Sequence, residues 1–527
     1  MNARPGLRLF PLTAALCAAA ALAAGCSTPG TDAGFTASKD QPLVLSLDDL
    51  VAASGTSAVL GVRVEPEHGS VTRRTDGAYV YTPDPGYTGS DTFGVTTTDA
   101  VRLYTTDIPV LGEYGGATVQ GSGYGSAWTP VPGSTDEFYG LTDRGPNVDG
   151  PGKNEKLSPT PEFVPKIGRF KLVDNRAVLQ SSIDLRNAAG LPFNGQVDTA
   201  ADTGETIKDL QGTVLPATDH GLDPEGLVAL ADGTFWVSDE YGPFLVHFDA
   251  QGKEIERLVP GAGLPQEISL RSPNQGMEGL TITPDGNTLV GIVQSAIKTP
   301  GLDGSAKEVP LARIVTVDLK TKAQREFLYP LQDPKQTKVA VSEITALSAT
   351  TFLVDERDGN LAPKSDKKIW TIDITGATDV GPQSTVPGAT YDAAKGGLLI
   401  DGKAIETLVG VVPTTDAVAA LRKAGITPVA KTSNLDLSAL LVSLDDKGRF
   451  FGHDKIEGIA TLDGGKTVYI ANDSDFGLAA STGEQPPFGL KPKTLPDGVQ
   501  DTGEVLVVDT TKLPAKVDRY TVQITVK

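Results

Sequence analysis

Four glutamates recur in one local setting, and that recurrence is the chain's strongest chemical signal. Glu225, Glu278 and Glu457 each stand before Gly and then Leu or Ile, and Glu343 stands before Ile344-Thr345. Each opens a short apolar run. A second apolar run follows and ends in polar or charged residues: Asp239-Glu240, Gln294, Asp355-Glu356-Arg357 and Asn472-Asp473, with a degenerate first copy ending in Asp143-Arg144. Carboxylates gathered at one place cannot all stay ionised without a cation between them. A ring of these glutamates therefore asks for a metal ion, for Arg144 and Arg357, or for both. Oxygen-only donors suit Ca²⁺, a hard cation. A metal so held would polarise an ester oxygen and acidify a bound water. Arg144 and Arg357 would fork onto substrate oxygens, with Asp143 beside them and Asp239, Glu240 or Glu356 as general base. For any single glutamate the plainer alternative is a carboxylate capping backbone amides; the ring of four carries the chemical case.

The elements that must position these groups are strands. Asp-Gly at 232–233, 285–286 and 463–464 separates the paired runs, and such dipeptides supply the positive-φ residues of two-residue hairpins. Further strand-like runs follow, 244–248 with 254–258 and 314–319 with 324–328. Four-stranded units repeated radially make a β-propeller, whose first strands line a central channel. The expected fold class is all-β: a propeller over 115–527, six blades favoured and five or seven compatible, against the alternative of stacked sandwiches. The wide gap between Glu343 and Glu457 holds the one helical stretch, 415–423, and is assigned to an insertion at about 384–440. Residues 40–107 read as a small Ig-like β-sandwich, with short runs at 43–45, 59–64, 69–72, 79–81 and 92–98 split by polar turns.

The first 25 residues read as an export signal. Arg4 and Arg8 precede the apolar run 12–24, which is too short to span a bilayer and ends in Leu22-Ala23-Ala24-Gly25-Cys26. That ending is a lipobox pattern, so Cys26 is the expected site of a palmitate-bearing lipid anchor, residues 26–39 a tether, and the cell membrane's outer side the location. Cys17 and Cys26 are the only cysteines, which leaves the mature chain no disulfide and no thiolate chemistry.

The motifs Leu141-Thr142-Asp143-Arg144-Gly145-Pro146-Asn147, Asp223-Pro224-Glu225-Gly226-Leu227, Ser238-Asp239-Glu240-Tyr241-Gly242-Pro243, Asn274-Gln275-Gly276-Met277-Glu278-Gly279-Leu280 and Val354-Asp355-Glu356-Arg357-Asp358 resemble the "esterase-like activity of phytase" family. The resemblance covers most of 115–527 and implies a propeller that hydrolyses phosphate or other esters. The Glu-Gly runs are also similar to calcium propellers of the gluconolactonase and paraoxonase type. That similarity implies Glu225, Glu278, Asn472 and Asp473 as metal ligands, beside Glu343 and Glu457 from the ring. Residues 68–93 (His68-Gly69-Ser70-Val71 through Asp91-Thr92-Phe93) resemble bacterial cadherin-like or Ig-like repeats and imply a spacer.

A formal charge of −20, more negative once Arg4 and Arg8 are removed, disfavours nucleic acid and anionic lipid surfaces as partners. A small anionic or ester substrate would need local cations. No Gly-x-Ser-x-Gly elbow or phosphate-binding glycine loop occurs, and the four histidines are scattered. The functional expectation is an exported, membrane-anchored phosphoester hydrolase (phytase- or phosphodiesterase-like) that uses calcium. The rivals are a non-enzymatic ligand-binding propeller with structural calcium, and a lactonase.

Overall fold

The computed structural model describes residues 34–201 and 203–527. The export signal and Cys26 lie outside the described residues. Five four-stranded antiparallel units are present among them. Their strands, from first to fourth, are Ala127–Pro130, Glu137–Leu141, Lys166–Val173 and Arg176–Asp184 in blade one; Pro224–Ala229, Phe235–Asp239, Phe244–Phe248 and Glu254–Pro260 in blade two; Met277–Ile282, Thr288–Val293, Leu311–Asp318 and Gln324–Pro330 in blade three; Ala340–Ala346, Thr351–Arg357, Lys367–Asp373 and Ala430–Asp436 in blade four. Blade five joins Gly458–Ala460, Thr467–Ala471 and Glu504–Asp509 to Val101–Thr106. The five first strands neighbour one another in a closed ring, blade one touching both two and five. The fold is therefore a five-bladed propeller, and the favoured count of six is corrected.

The gap between Glu343 and Glu457, assigned by sequence to an insertion, adds no blade. Residues 374–429 leave blade four between its third and fourth strands. They form the small sheet Thr390–Asp392, Gly397–Ile400 and Lys403–Ala404 and the helices Ile405–Val409 and Thr414–Lys423. Their apolar residues Leu398, Ile405, Ala417 and Leu421 bury against Leu311 and Leu328 of blade three rather than reaching the axis. Burial against an existing blade removes any need for a sixth. The stretch 430–440, placed in the insertion by sequence, is instead blade four's outer strand and the start of the helix Leu437–Leu444.

Both domain boundaries are interlaced. Val101–Thr106, assigned by sequence to the sandwich side, is the fourth strand of blade five and also pairs briefly with blade one at Arg176 and Ala177, which closes the ring. Asp518–Val526, assigned to the propeller, lies between Gly89–Thr98 and Gly34–Ala37 in the small domain. Gly34–Ala37 itself was expected to be tether. Two sheets complete the small domain, that one (with Ala58–Val64) and Leu43–Leu45 with Tyr79–Pro83 and Gly69–Arg73. They enclose Leu50, Val59, Tyr81, Phe93, Val95, Val522 and Ile524.

Each apolar face of a blade is buried against the next. Val228, Trp236 and Leu245 of blade two meet Leu280, Leu289 and Val315 of blade three, and Val290, Ile314 and Phe327 meet Ile344, Phe352 and Val354. The hairpins between first and second strands differ from the expected two-residue form. Only the glycine is left-handed, Gly233 at φ 87° and Gly286 at 70°. Asp232 and Asp285 instead accept hydrogen bonds from the amides two residues on, Thr234 (3.0 Å) and Asn287 (3.1 Å).

Candidate functional site

First strands begin, and second strands end, at the same face of the propeller. That geometry gathers residues far apart in sequence around one cavity of about 360 Å³ on the axis, lined by nine carboxyl and five basic side chains. Leu478 and Ala479, from the hairpin Leu478–Thr482 with Gly489–Pro492, and Val148 wall it from above.

Three of the four recurrent glutamates, Glu225, Glu278 and Glu457, reach this cavity. Glycine follows each because the first strands crowd together at the axis. A Cβ at Gly226 would lie 2.6 Å from the Glu278 carbonyl oxygen, and one at Gly279 would lie 2.5 Å from Ile344 N. In blades two and three the ladder is bulged at this point, skipping from Pro224 to Leu227 and from Met277 to Leu280. Blade four skips only Ser342, so Glu343 pairs opposite Asp355, at the glycine position. Its carboxylate accepts from Leu280 N (3.1 Å) and Ile344 N (2.8 Å), below the cavity. Glu343 is thus an amide cap and not a ring member. The signal was in the sequence: Ile344 stands where glycine follows the other three.

Strand alternation divides the second-strand ends in the same way. Glu240, Arg357 and Asp473 face the cavity, as do Asp143 and Arg144. Asp239 is fully buried and accepts from Asp223 N (3.1 Å) and Tyr241 N (3.0 Å), shaping the turn. Glu356 is held away from the axis by Tyr329 Oη (2.7 Å) and Lys431. Asn472 accepts from Glu504 N (2.7 Å) and donates to Thr502 O (3.1 Å). Asp239 and Glu356 are therefore corrected as catalytic candidates, and Glu343 and Asn472 as ligands: none of the four lines the cavity, and each is held by local hydrogen bonds, Asp239 through Oδ1 alone.

One side of the cavity is strongly acidic. Carboxylate oxygens of Asp223, Glu225 and Glu240 all lie within 4.8 Å of one another. Asp223, the first residue of the Asp223–Leu227 motif but not named as a site residue from the sequence, contacts Arg144 Nε at 3.5 Å. Asp223 Oδ2 and Glu278 Oε1 are buried without a hydrogen-bond partner. Burial, then Asp223, raises the Glu240 carboxyl to about 7. Burial followed by the neighbouring acids pushes Glu225 and Glu278 well above the usual range. The other side is compensated. Arg357 pairs with Glu457, Arg144 with Glu205 (3.0 Å) and Tyr241 Oη (3.2 Å), and Lys455 Nζ with Asp473 (3.1 Å) and Asp475 (2.6 Å). Glu205, Lys455 and Asp475 were not among the sequence candidates.

The cavity on the propeller axis thus sets an acidic wall, of which only Asp223 meets a cation, Arg144, against a wall where acids and bases are paired. The chain belongs to the family described as esterase-like activity of phytase, which matches residues 120–476, and residues 27–108 match the bacterial Ig domain. An uncharacterized secreted protein of Arthroderma benhamiae is 29% identical over 262 residues, 40% of this chain and 51% of that protein. The chain thus spans about half the length of that relative. Among solved structures, the periplasmic gluconolactonase of Pseudomonas aeruginosa is similar at 12% identity, over 86% of this chain and 98% of that one, with a TM-score of 0.29. A streptogramin B lyase is similar at 11% identity, over 77% and 96%, with a TM-score of 0.27.

Proposed function

We propose that this protein is an exported, lipid-anchored hydrolase of anionic esters, phosphate esters foremost, and that it works with a bound divalent cation, calcium best fitting the donors. The observation that carries the reading is the acidic wall: three carboxylates within 4.8 Å of one another and two buried oxygens without a hydrogen-bond donor, opposite a basic wall. Asp223, Glu225 and Glu240 would hold the ion. All-oxygen donors suit Ca²⁺ better than a metal preferring nitrogen or sulfur. Bound there, the ion would supply Lewis acidity and a more acidic water.

The remaining work falls to the chain. Arg357 and Arg144 offer guanidinium donors to the ester's anionic oxygens, and Lys455 adds a third positive charge on the same side. Glu278, unpartnered at Oε1, would in its ionised form take the proton of the attacking water and return it to the leaving oxygen; burial and its acidic neighbours raise its carboxyl, so it must first give up its own proton. Val148, Leu478 and Ala479 restrict bulk water above.

The test is hydrolysis of p-nitrophenyl phosphate, bis-p-nitrophenyl phosphate and phytate, with and without EGTA and with calcium added back. Chelator-sensitive turnover is expected. Glu225→Gln should cost at least about 10- to 100-fold in activity and calcium affinity, the loss typical of changing even an outer-sphere partner, while the protein stays folded. No turnover on any of these esters, or turnover indifferent to EGTA, ends the proposal; turnover on lactones alone would move it to a lactonase. The anchor rests on the lipobox at Leu22–Cys26. Cys26→Ser should release the protein from the membrane fraction and abolish palmitate labelling.

A further inference from the structure

One side chain of the small domain reaches the buried charges of blade five. Arg73, at the end of the strand Gly69–Arg73, is largely buried and donates from Nη2 to Glu504 Oε1 (2.5 Å) and from Nη1 to Asp497 Oδ2 (2.9 Å). Glu504 opens blade five's third strand, and its other oxygen, Oε2, meets His453 Nε2 at 3.1 Å. His453 Nδ1 meets Asp501 Oδ1 at 2.9 Å, and Asp501 Oδ2 lies 3.6 Å from Lys493 Nζ. Lys493 pairs with Asp475, which accepts from Lys455 Nζ (2.6 Å), and Lys455 also binds Asp473 (3.1 Å) on the cavity wall. His453, Asp501 and Glu504 are each at most 2% exposed, so this chain of alternating charge is buried at its centre and partly exposed at Arg73, Asp475 and Lys455. Its groups also meet Asn472, next to Asp473: Asn472 Nδ2 lies 3.0 Å from His453 Nδ1 and donates to Asp501 Oδ1 (3.3 Å), while Asn472 Oδ1 accepts from the Glu504 backbone N (2.7 Å).

We propose that Arg73 is a positioning residue for the axial cavity, through which the Ig-like domain holds Lys455 and Asp473 in the place that the proposed chemistry needs. The domain expected to be a spacer is, on this reading, a structural part of the site. Charge alternation explains why Arg73 is needed. Burial alone would keep His453 neutral, but Asp501 and Glu504 raise it to about 9, so His453 is a cation at neutral pH. Burial also opposes ionisation of Glu504, and Arg73 together with His453 holds its carboxyl down to about 2. Without Arg73 the Glu504 carboxylate keeps one cationic partner in a fully buried place. The cheapest adjustment is for Glu504, and with it His453, to move, and Asn472 and Asp473 follow through their shared hydrogen bonds.

This inference rests on the hydrolase reading, so its test has one arm that activity does not touch. In the full mature protein, Arg73→Met should raise amide hydrogen exchange across 471–475 while the 225–240 region of blade two is unchanged. Arg73→Lys should restore protection, and Arg74→Met, at the exposed neighbour paired with Asp76, should change nothing. On p-nitrophenyl phosphate, Arg73→Met should lower kcat about 10-fold with KM shifted far less, as losses of supporting partners commonly do. Should Arg73→Met fail to fold, Glu504→Gln, which keeps the shape and removes the charge, reads the same exchange. Altered exchange at 471–475 in a protein that hydrolyses nothing keeps the coupling and discards only the hydrolase reading. A lowered melting temperature with exchange at 471–475 and kcat both unchanged, or no rescue by lysine, overturns the proposal.

Discussion

Two clusters of buried glutamates lie in this propeller, and they differ in one respect. At the outer side of blade three, Glu267, Glu326 and Glu406 surround Arg313, all four side chains being fully buried. Arg313 donates to Glu406 through Nε (2.8 Å) and Nη2 (3.0 Å), to Glu326 through Nη1 (2.8 Å) and to the Gly396 carbonyl (2.9 Å). On the axis, Asp223, Glu225, Glu240 and Glu278 line a cavity with Arg144 on one flank only. A cluster that serves the fold carries its cation within the chain. The axial cluster has only Arg144 at its edge, and the proposed calcium would supply the positive charge that Arg313 supplies in the other.

Removing the built-in cation should have the largest effect in the molecule. Arg313→Met leaves three carboxyls facing one another with no counter-charge, and breaking a buried pair in this way costs about 3 to 5 kcal/mol. The loss falls on the contact between blade three and 374–429, since Glu406 belongs to that insertion and Arg313 to the blade. Denaturant unfolding of wild type and variant measures it. A loss below about 1 kcal/mol, the scale of an exposed pair, would erase the contrast between the clusters.

What the sequence shows of this contrast follows from distance along the chain. Blades are legible because each is built from neighbouring runs and a turn, and the Glu-Gly motif repeats with them. The partners of Arg313 come from three separate elements, and no spacing links 267, 313 and 406. The closing strand was hidden for the same reason. Val101–Thr106 carries the alternation of any half-buried strand, and nothing local says that its partner is Glu504–Asp509. Asp518–Val526 likewise finds its partners more than four hundred residues away, in Gly89–Thr98. At the site, residue type was legible and facing was not. Asp239 and Glu240 are adjacent acids, and a shift of one residue decides which lines the cavity.

The second prediction separates the clusters by pH and calcium. Glu240, raised by burial and by Asp223 to about 7 from an ordinary 4.5, binds a proton in the folded protein that the unfolded chain has already released. A raised acid is neutral in both states below 4.5. Between 4.5 and 7 only the unfolded chain ionises, so stability falls as pH rises across that window. Glu225 and Glu278 act in the same direction. With EGTA the melting temperature should therefore climb as pH falls from 8 toward 5. Calcium should remove most of that slope, because it holds the carboxylates ionised, and its stabilising shift should be largest at pH 8. Glu326, raised to about 8 by burial against the pull of Arg313, adds a slope of the same sign that calcium leaves untouched. A calcium shift that is equal at pH 5 and pH 8 would place the ion elsewhere than among these carboxyls.

The smallest effect is expected where the sequence pattern suggested a large one. Glu343 carries the motif's glutamate yet occupies the glycine position of blade four, where it caps Leu280 N and Ile344 N. Glu343→Gln keeps an oxygen that can accept both bonds and removes a carboxyl that burial already pushes well above its usual range. Its cost should stay within about 1 kcal/mol, the net worth of one ordinary hydrogen bond. Calcium affinity should be unchanged, in contrast to Glu225→Gln. Titration calorimetry on the two variants side by side measures the difference between a glutamate that faces the axis and one a single residue out of register. Equal losses of affinity would mean that the four act as one ring, and that the bulge at Ser342 does not set the fourth apart.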